Sequence, residues 1–171
     1  ASFGDLSTAR NGGGHGFGND TRGVYGAGYI SPASVNTIDF ITIASIGNGT
    51  DFGDLTVARG AHDALASPTR GIYGGGFVGP NTFKNEIDYI TIASTGNASD
   101  FGDLDTNRRY LGSGSNQTKG LFAGGQVAPN GSSQNVIDYF TISTFGNATD
   151  FGDLTVARAS HDALASPTRG I

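Results

Sequence analysis

The sequence predicts an all-β protein built from repeated four-stranded units. Three observations lead to this prediction: landmarks that recur about every 49 residues, short segments rich in β-branched and aromatic residues, and the lack of an apolar stripe with helical spacing. Glycine makes up 29 of the 171 residues, more than twice its ordinary share of about 7%. A period of this length is typical of solenoids, propellers and arrays, in which each repeat is one supersecondary unit.

The repeat is clearest in the tetrapeptide Phe-Gly-Asp-Leu. Its four copies are separated by steps of 49, 49 and 50 residues and begin at Phe3, Phe52, Phe101 and Phe151. An arginine stands seven residues after each of these phenylalanines, at Arg10, Arg59, Arg108 and Arg158. The whole chain, 1–171, is therefore one repeat array, with full repeats 3–51, 52–100 and 101–150 and a partial repeat 151–171.

Each repeat is expected to contribute four short strands, which the region around the second repeat illustrates. Residues 61–66 predict a first strand, and the turn residues 67–70 close it. Residues 71–77 predict a second strand, with glycines where a neighbour must approach closely. Residues 86–93, rich in β-branched and aromatic residues, predict a third strand. After a turn that contains Gly and Asn, residues 101–104 start the fourth.

Four strands with glycines near the second describe the blade of a β-propeller. Glycines are expected there because the strands converge toward a central axis, where Cβ atoms would collide. With the strands lettered a to d, the chain runs d, three full sets and then a, which is about three and a half repeats. Propellers have about four to eight blades, so we expect a window from a longer array that continues or is covered by assembled neighbours.

The landmarks resemble the kelch repeat. The kelch order of a glycine pair, a tyrosine, a later aromatic and an arginine is found in Gly75, Gly76, Tyr89, Phe101 and Arg108. The third repeat carries the matching Gly124, Gly125 and Tyr139. The resemblance covers essentially the whole chain, although phenylalanine stands where kelch repeats have tryptophan. It implies kelch-like blades of four antiparallel strands, in which these residues hold structural positions.

Two segments also resemble tandem repeats in virion-associated structural proteins of marine phages, cyanophages among them. These segments are residues 88–104 and 69–76. The resemblance implies a tail-fibre or appendage module on a virion or outside the cell. Host-surface glycans or another host receptor are then the expected ligands. The loops 78–85 and 127–135 differ most between repeats and are the expected contact sites.

Composition and charge exclude several classes of function. The net charge of −5 argues against a nucleic-acid-binding protein, which normally presents a basic surface. The sequence has no cysteine, which removes disulfides, thiolate zinc sites and cysteine nucleophiles. No long apolar run occurs, so no membrane insertion is expected. The expected protein partner is the repeat itself, through self-association or through continuation of the array.

The histidines are the first candidates for chemistry. His62 and His161 occupy equivalent positions, each followed by an aspartate, and such a pair can orient an imidazole for catalysis. A catalytic site is seldom duplicated within one chain, and the kelch resemblance implies a structural histidine at this position. We therefore expect no catalytic residue. No cofactor is expected either, because the Gly-x-Gly runs lack the helix that a dinucleotide site requires.

Acidic turn residues offer a weak calcium site. The candidate ligands recur beside an asparagine and are Asp51, Asp54, Asp100 and Asp103. Oxygen ligands suit Ca²⁺, but the spacing matches no EF-hand, and tight turns also favour Asp and Asn. We interpret these residues as turn residues and expect no metal.

The repeated arginines are interpreted as structural. Each has the aspartate of its own Phe-Gly-Asp-Leu five residues before it. We expect a buried or partly buried arginine–carboxylate bridge between strands or blades, because the planar guanidinium orients a carboxylate through two hydrogen bonds. Repetition in all four copies favours a scaffold role over a ligand-binding role.

Three functions from different classes remain. The favoured one is a non-catalytic structural and adhesive module of a virion appendage. The second is a subunit of an extracellular filament assembled from stacked blades. The third is a propeller-based glycan-active enzyme, which needs paired carboxylates that break the repeat symmetry. Glu86 is the only glutamate in the sequence, so support for the enzyme is poor.

Overall fold

The protein is all-β, as predicted. The structure, a computed structural model, describes residues 3–11, 14–79, 82–163, 165–166 and 168–169. These residues form 13 strands in three antiparallel sheets. No helix occurs among them, and hence none that could cross a membrane.

Each sheet is an antiparallel meander. Sheet I consists of β1 (His15–Gly18), β2 (Arg22–Ile30), β3 (Ala33–Thr42) and β4 (Thr50–Asp54). Sheet II consists of β5 (Asp63–Ala66), β6 (Arg70–Gly74), β7 (Glu86–Thr91) and β8 (Ser99–Asp103). Sheet III consists of β9 (Gly112–Ser115), β10 (Lys119–Ala123), the short β11 (Gln126–Val127), β12 (Ser132–Thr141) and β13 (Thr149–Arg158).

The four strands predicted around the second repeat are present in sheet II as β5 to β8. Their ends differ from the predicted segments by a few residues. The Phe-Gly-Asp-Leu strand is the last strand of its sheet. Each sheet therefore ends where a repeat counted from this motif begins, and the sheets are offset from the sequence repeats by one strand.

Three predicted segments differ in the structure. Residues 3–6 and 161–163 are not strands, because a strand requires a ladder of paired residues, and among the described residues only isolated hydrogen bonds are found at or beside these segments. The predicted loop 127–135 is largely a hairpin, since β11 pairs with the start of β12. In the other predicted loop, 78–85, residues 80 and 81 lie outside the described part of the chain.

The core consists of two apolar layers between stacked sheets. One layer lies between sheets I and II and contains Val24, Ala27, Ile38, Phe52, Leu55, Tyr73, Ile90, Ile92 and Ala98. The other lies between sheets II and III and contains Leu65, Ile72, Ile87, Phe101, Leu104, Leu111, Phe122, Phe140 and Ile142. Side chains of two sheets thus bury each other, and no sheet covers its own apolar faces.

The first strands of the three sheets, β1, β5 and β9, lie next to one another. Two serine hydroxyls of β9 link it to β5, since Ser113 Oγ donates to the Ala64 carbonyl at 3.0 Å. Ser115 Oγ likewise donates to the Ala66 carbonyl at 2.8 Å. The sheets therefore stack face to face with their first strands adjacent.

Glycines on the second strand let the next sheet approach closely. A Cβ on Gly26 would lie 2.6 Å from the ring of Tyr73, and a Cβ on Gly74 would lie 2.5 Å from the ring of Phe122. Gly75 has a φ of 67°, a left-handed conformation that favours glycine. Positive φ values are found at all four glycines of the two Gly-Gly pairs: Gly75, Gly76, Gly124 and Gly125.

Candidate functional site

Fully buried arginines and aspartates form a joint between adjacent sheets. Arg59 follows β4 of sheet I and crosses to sheet II, where its Nη2 donates to Asp88 Oδ2 at 2.9 Å. Its Nη1 donates to the Glu86 carbonyl at 2.9 Å. The Arg59 and Asp88 side chains are both 0% exposed. Burial lowers the pKa of Arg59 and the charge of Asp88 opposes this shift, so the guanidinium keeps its charge.

The same bridge recurs at two other places. Arg108 donates to Asp138 of sheet III. Arg10, near the start of the chain, donates to Asp39 of sheet I and to the Thr37 carbonyl at 2.6 Å. A buried arginine–carboxylate bridge is thus present three times, each time between a segment that follows Phe-Gly-Asp-Leu and the next sheet in the chain.

The partner of the arginine differs from the expected one. The sequence suggests the aspartate of the same tetrapeptide, Asp54 for Arg59, whereas the observed partner lies in the next sheet. It is the aspartate of an Ile-Asp-aromatic triplet that occurs once in each sheet, in sheet II as residues 87–89. Sequence reasoning therefore missed Asp39, Asp88 and Asp138. They could have been found, because every repeat has an aspartate at the same position of an apolar strand and a buried charge requires a partner.

A backbone clasp lies beside the bridge. The loop after β7 reaches back to sheet I, where Gly96 N donates to the Phe52 carbonyl at 2.7 Å. The Asp54 carbonyl accepts a hydrogen bond from Ala98 N at 2.8 Å, and Asp54 N donates to Asn97 Oδ1 at 3.0 Å. Equivalent bonds occur at the other two bridges. Clasp and bridge together fix one sheet on the next.

The candidate calcium ligands have local partners. Asp51 and Asp100 each accept a hydrogen bond from the backbone N–H two residues later, at 3.1 and 3.2 Å. Asp54 and Asp103 belong to the clasps through their backbone atoms. Within the described ranges, no three His, Asp or Glu side chains come together in a way that could hold a metal ion. Turn chemistry accounts for the contacts of these aspartates.

A second basic residue supports the contacts between sheets. Arg22 Nη1 donates to the Ile92 carbonyl and Arg70 Nη1 to the Ile142 carbonyl, both at 2.7 Å. Arg70 also lies 5.3 Å from the centre of the Tyr89 ring, within the range of a cation–π contact. Tyr89 is therefore a packing partner of an arginine that links sheets II and III.

The joint between sheets II and III differs from the previous one in the residue that lies beside its buried aspartate. Thr56 Oγ1 donates to Asp88 Oδ1 at 2.6 Å, but the equivalent residue in the later joint is Asp105. Burial raises the pKa of Asp138, and although Arg108 opposes this shift, the charge of Asp105 adds to it, so the pKa reaches about 6. Two carboxylates thus share one arginine, since Asp105 lies 3.6 Å from Arg108.

Replacing Asp105 by threonine is expected to raise the free energy of unfolding by about 1 kcal/mol near pH 7. The new hydroxyl would donate to Asp138, and the neighbouring negative charge would be gone. A raised pKa means that the folded state binds the proton more tightly, so wild-type stability from this group increases as the pH falls through about 6. The Asp105→Thr variant lacks this rise in stability, so the difference in free energy of unfolding between the variant and the wild type shrinks at lower pH. Urea unfolding at about pH 5 and about pH 7.5 measures both effects.

The matched control for this prediction is Thr56→Asp, which places a carboxylate at the same position of the preceding joint. It is expected to lower the free energy of unfolding. Equal stability of the wild type and both variants would contradict this account of the joint.

The histidines are packing residues near the first strands. His62 is buried with its ring centre 5.7 Å from that of Tyr73, and burial, aided by the charge of Arg59, lowers the pKa of His62 well below its ordinary value. His15 Nδ1 lies 2.8 Å from Asp63 Oδ1, and this hydrogen bond raises the pKa of His15. These surroundings fit the structural role predicted for the histidines.

The fourth copy of each landmark lies on the outer side of sheet III. Phe151 is 69% exposed, whereas Phe52 and Phe101 are each 2% exposed. Arg158 is exposed and pairs with no carboxylate in the described part of the chain. Tyr139 has its ring centre 5.7 Å from that of Phe151. The residues of a joint are therefore present here without a sheet to receive them.

A cavity of about 520 Å³ lies where the turns after β1, β5 and β9 converge. Most of its lining side chains are amides, hydroxyls or a carboxylate, among them Asn19, Asp20, Ser67, Ser115 and Gln117. Sequence reasoning did not find this cavity, because each turn is ordinary by itself and only the stacking of three sheets brings the turns together.

Sequence comparisons with protein families and curated proteins identify no relative. No protein-family model matches the sequence, and no curated protein matches it significantly. Function has to be argued from the residues and contacts of the chain.

Proposed function

We propose that this chain is a non-catalytic structural module in which each sheet is one blade of a kelch-like β-propeller array. Three features support this proposal: the antiparallel meander within each sheet, the adjacent first strands β1, β5 and β9, and the glycines on which the next sheet packs. The observation that carries it is the arginine–aspartate joint, which recurs between both pairs of neighbouring sheets.

The charges of the joint serve to hold sheets together. Arg59 directs its donors to Asp88 and to main-chain carbonyls. A buried ion pair contributes little net stability compared with apolar packing, but removing one partner is strongly destabilising. Such a pair specifies how two surfaces fit, which is what a module of repeated sheets requires.

We place this module in a virion appendage that contacts a host surface. The support is the resemblance of residues 88–104 and 69–76 to tandem repeats of phage structural proteins. The stacked sheets hold the turns and loops in fixed positions, and loops on a rigid scaffold are where binding residues usually lie. The appendage would present these turns and loops to the host.

Host-surface glycans are the proposed ligands, and the cavity between the turns is the site that the geometry favours. Its volume of about 520 Å³ lies within the range of about 300–1,000 Å³ that small-molecule sites occupy. Asp20 of sheet I and Gln117 of sheet III are exposed on its wall. Carboxylate and amide groups from two sheets can bind the hydroxyl groups of one sugar.

A glycan array probed with the full chain tests the adhesive part of the proposal. We expect binding to a small set of related glycans and a loss of about thirtyfold in affinity for the double variant Asp20→Ala/Gln117→Ala, since each of the two lost hydrogen bonds costs about 1 kcal/mol. The control is Thr82→Ala, an exposed residue of the loop 78–85.

Loss of binding only in the loop variant would move the site to the loops that the sequence suggested. A chain that binds no glycan would contradict the adhesive role.

A further inference from the structure

Sheet III has an exposed apolar face. The equivalent faces of sheets I and II are covered by the next sheet in the chain. The open face of sheet III is formed by Leu121, Ile137, Phe151 and Leu154. The equivalent residues of sheets I and II, such as Leu55 and Leu104, are buried in the layers between sheets. On sheet III a cavity of about 420 Å³ borders the face. The face thus has the residues of an interface between sheets but lacks the second sheet.

Sheet I has the opposite half of such an interface. Its receiving face is formed by Tyr25, Ile41 and Ile43, and a cavity of about 390 Å³ borders the first two of these residues. Ile43 is 47% exposed, whereas the equivalent Ile92 and Ile142 are buried. In sheets II and III the residues of this type are covered by the preceding sheet.

We propose that the open face of sheet III binds the receiving face of sheet I of a second copy of this chain, head to tail. The proposal rests on the structural role proposed above and names the partner. Its template is inside the molecule, because the same two faces bury each other between sheets I and II and between sheets II and III. Since the two faces differ, repeated addition gives a ring or a filament.

Charge complementarity supports a second copy as the partner. Arg158 occupies the position of Arg59 and Arg108 and is exposed without a carboxylate partner among the described residues. The receiving face of a second copy supplies Asp39 at the position of the aspartate in both internal joints. Within one copy Arg10 already pairs with Asp39, so at the contact Arg158 would take the place of Arg10 and form the bridge between two sheets that Arg59 and Arg108 form inside the chain.

One glycine of the internal joints is replaced at this contact. Tyr73 lies over Gly26 and Phe122 lies over Gly74, whereas the equivalent residue of sheet III is Ala123. Tyr25 of the incoming copy would meet one additional methyl group. The cavity that borders Ala123 provides space for the ring at a slightly larger separation.

Residues 3–10 already occupy the receiving face and act as a plug. Gly47 N donates to the Phe3 carbonyl at 3.0 Å and Gly49 N to the Asp5 carbonyl at 2.7 Å. Arg10 fills the site at Asp39. The plug is the first Phe-Gly-Asp-Leu segment with its arginine, so it makes the contacts that residues 151–158 of another copy would make.

One of the two equivalent segments must leave when two copies join, and we infer that it is the plug. Residues 3–6 are not paired in a sheet, and Phe3 and Leu6 are 41% and 37% exposed. Residues 149–158, in contrast, form β13 and pair with β12 along much of its length. Residues 160–161 lie beside the start of β9, and residues 162, 163, 168 and 169 line the cavity that borders the open face. These residues would also move aside for β1 of the incoming copy.

Sedimentation velocity of the full chain and three variants tests this contact. Arg10→Gln weakens the plug and leaves Asp39 without a cation, so this variant is expected to associate at about tenfold lower concentration than the wild type. Arg158→Gln is expected to remain monomeric. The double variant Arg10→Gln/Arg158→Gln has the same weakened plug but no arginine to replace it, and it should also remain monomeric.

Equal association of Arg10→Gln and the double variant would overturn the proposal. Circular dichroism shows whether each variant is folded. Should Arg10→Gln not fold, the wild type and Arg158→Gln are compared at rising concentration, and equal sedimentation would again overturn it. A failure here is distinguishable from a failure of the scaffold role, because unfolding of an Arg59 variant measures that role in the monomer.

Discussion

Replacing Arg59 by methionine is expected to lower the free energy of unfolding by about 3–5 kcal/mol. The methionine fills much of the same volume but leaves the carboxylate of Asp88 buried without its cation. Only the hydroxyl and backbone N–H of Thr56 would remain as donors to it. Since small proteins are stable by about 5–15 kcal/mol, the loss is a large share of the total. Guanidinium unfolding followed by circular dichroism measures it.

Two controls separate the missing cation from a general effect of methionine. Arg158→Met changes the equivalent but exposed arginine and is expected to alter the free energy of unfolding by less than about 0.5 kcal/mol at concentrations where the chain is monomeric. The double variant Arg59→Met/Asp88→Leu removes both charges and should recover most of the lost stability. Equal losses in Arg59→Met and Arg158→Met would rule out a structural joint.

Replacing Gly74 by alanine is expected to lower the free energy of unfolding by about 1–3 kcal/mol through overpacking. The added Cβ would lie 2.5 Å from two carbons of the Phe122 ring. That ring is fully buried between sheets II and III, so it cannot turn away into solvent. Thermal unfolding should show a lower midpoint for the variant.

Gly47→Ala is the matched control, because no atom lies within 4 Å of a Cβ built on Gly47. It is expected to leave the midpoint almost unchanged. The double variant Gly74→Ala/Phe122→Leu should regain part of the stability, since the smaller side chain makes room for the methyl group. If Gly74→Ala were as stable as Gly47→Ala, close approach of the sheets would not explain this glycine.

The strands could be predicted from the sequence because strand propensity and turn chemistry depend on residues close together in the chain, and the period was visible because the same segments recur. β-branched residues mark β7, and turn residues mark the connection between β5 and β6. The predicted strand at 3–6 is wrong for the same reason. Its sequence equals that of residues 52–55, but a strand also needs a paired neighbour, which a local pattern does not reveal.

The candidate site could be predicted only in part. The arginines were recognisable from their repetition, and a bridge to a carboxylate follows from the chemistry of the guanidinium. The identity of the carboxylate could not be predicted, because Arg59 and Asp88 are 29 residues apart in the chain and Asp54 is nearer in sequence. The cavity was also beyond reach, since three separate turns form it.

The sequence by itself determined that the chain is all-β, where most of its strands lie and which residues recur in each unit. Strand propensity and turn chemistry act over a few residues, and the recurring residues are visible when the repeats are compared. Only the tertiary structure decided which aspartate receives each arginine, which glycines face a ring and which apolar faces remain uncovered. These choices depend on how one sheet lies on the next, and burial assigns partners through space without regard to their separation along the chain.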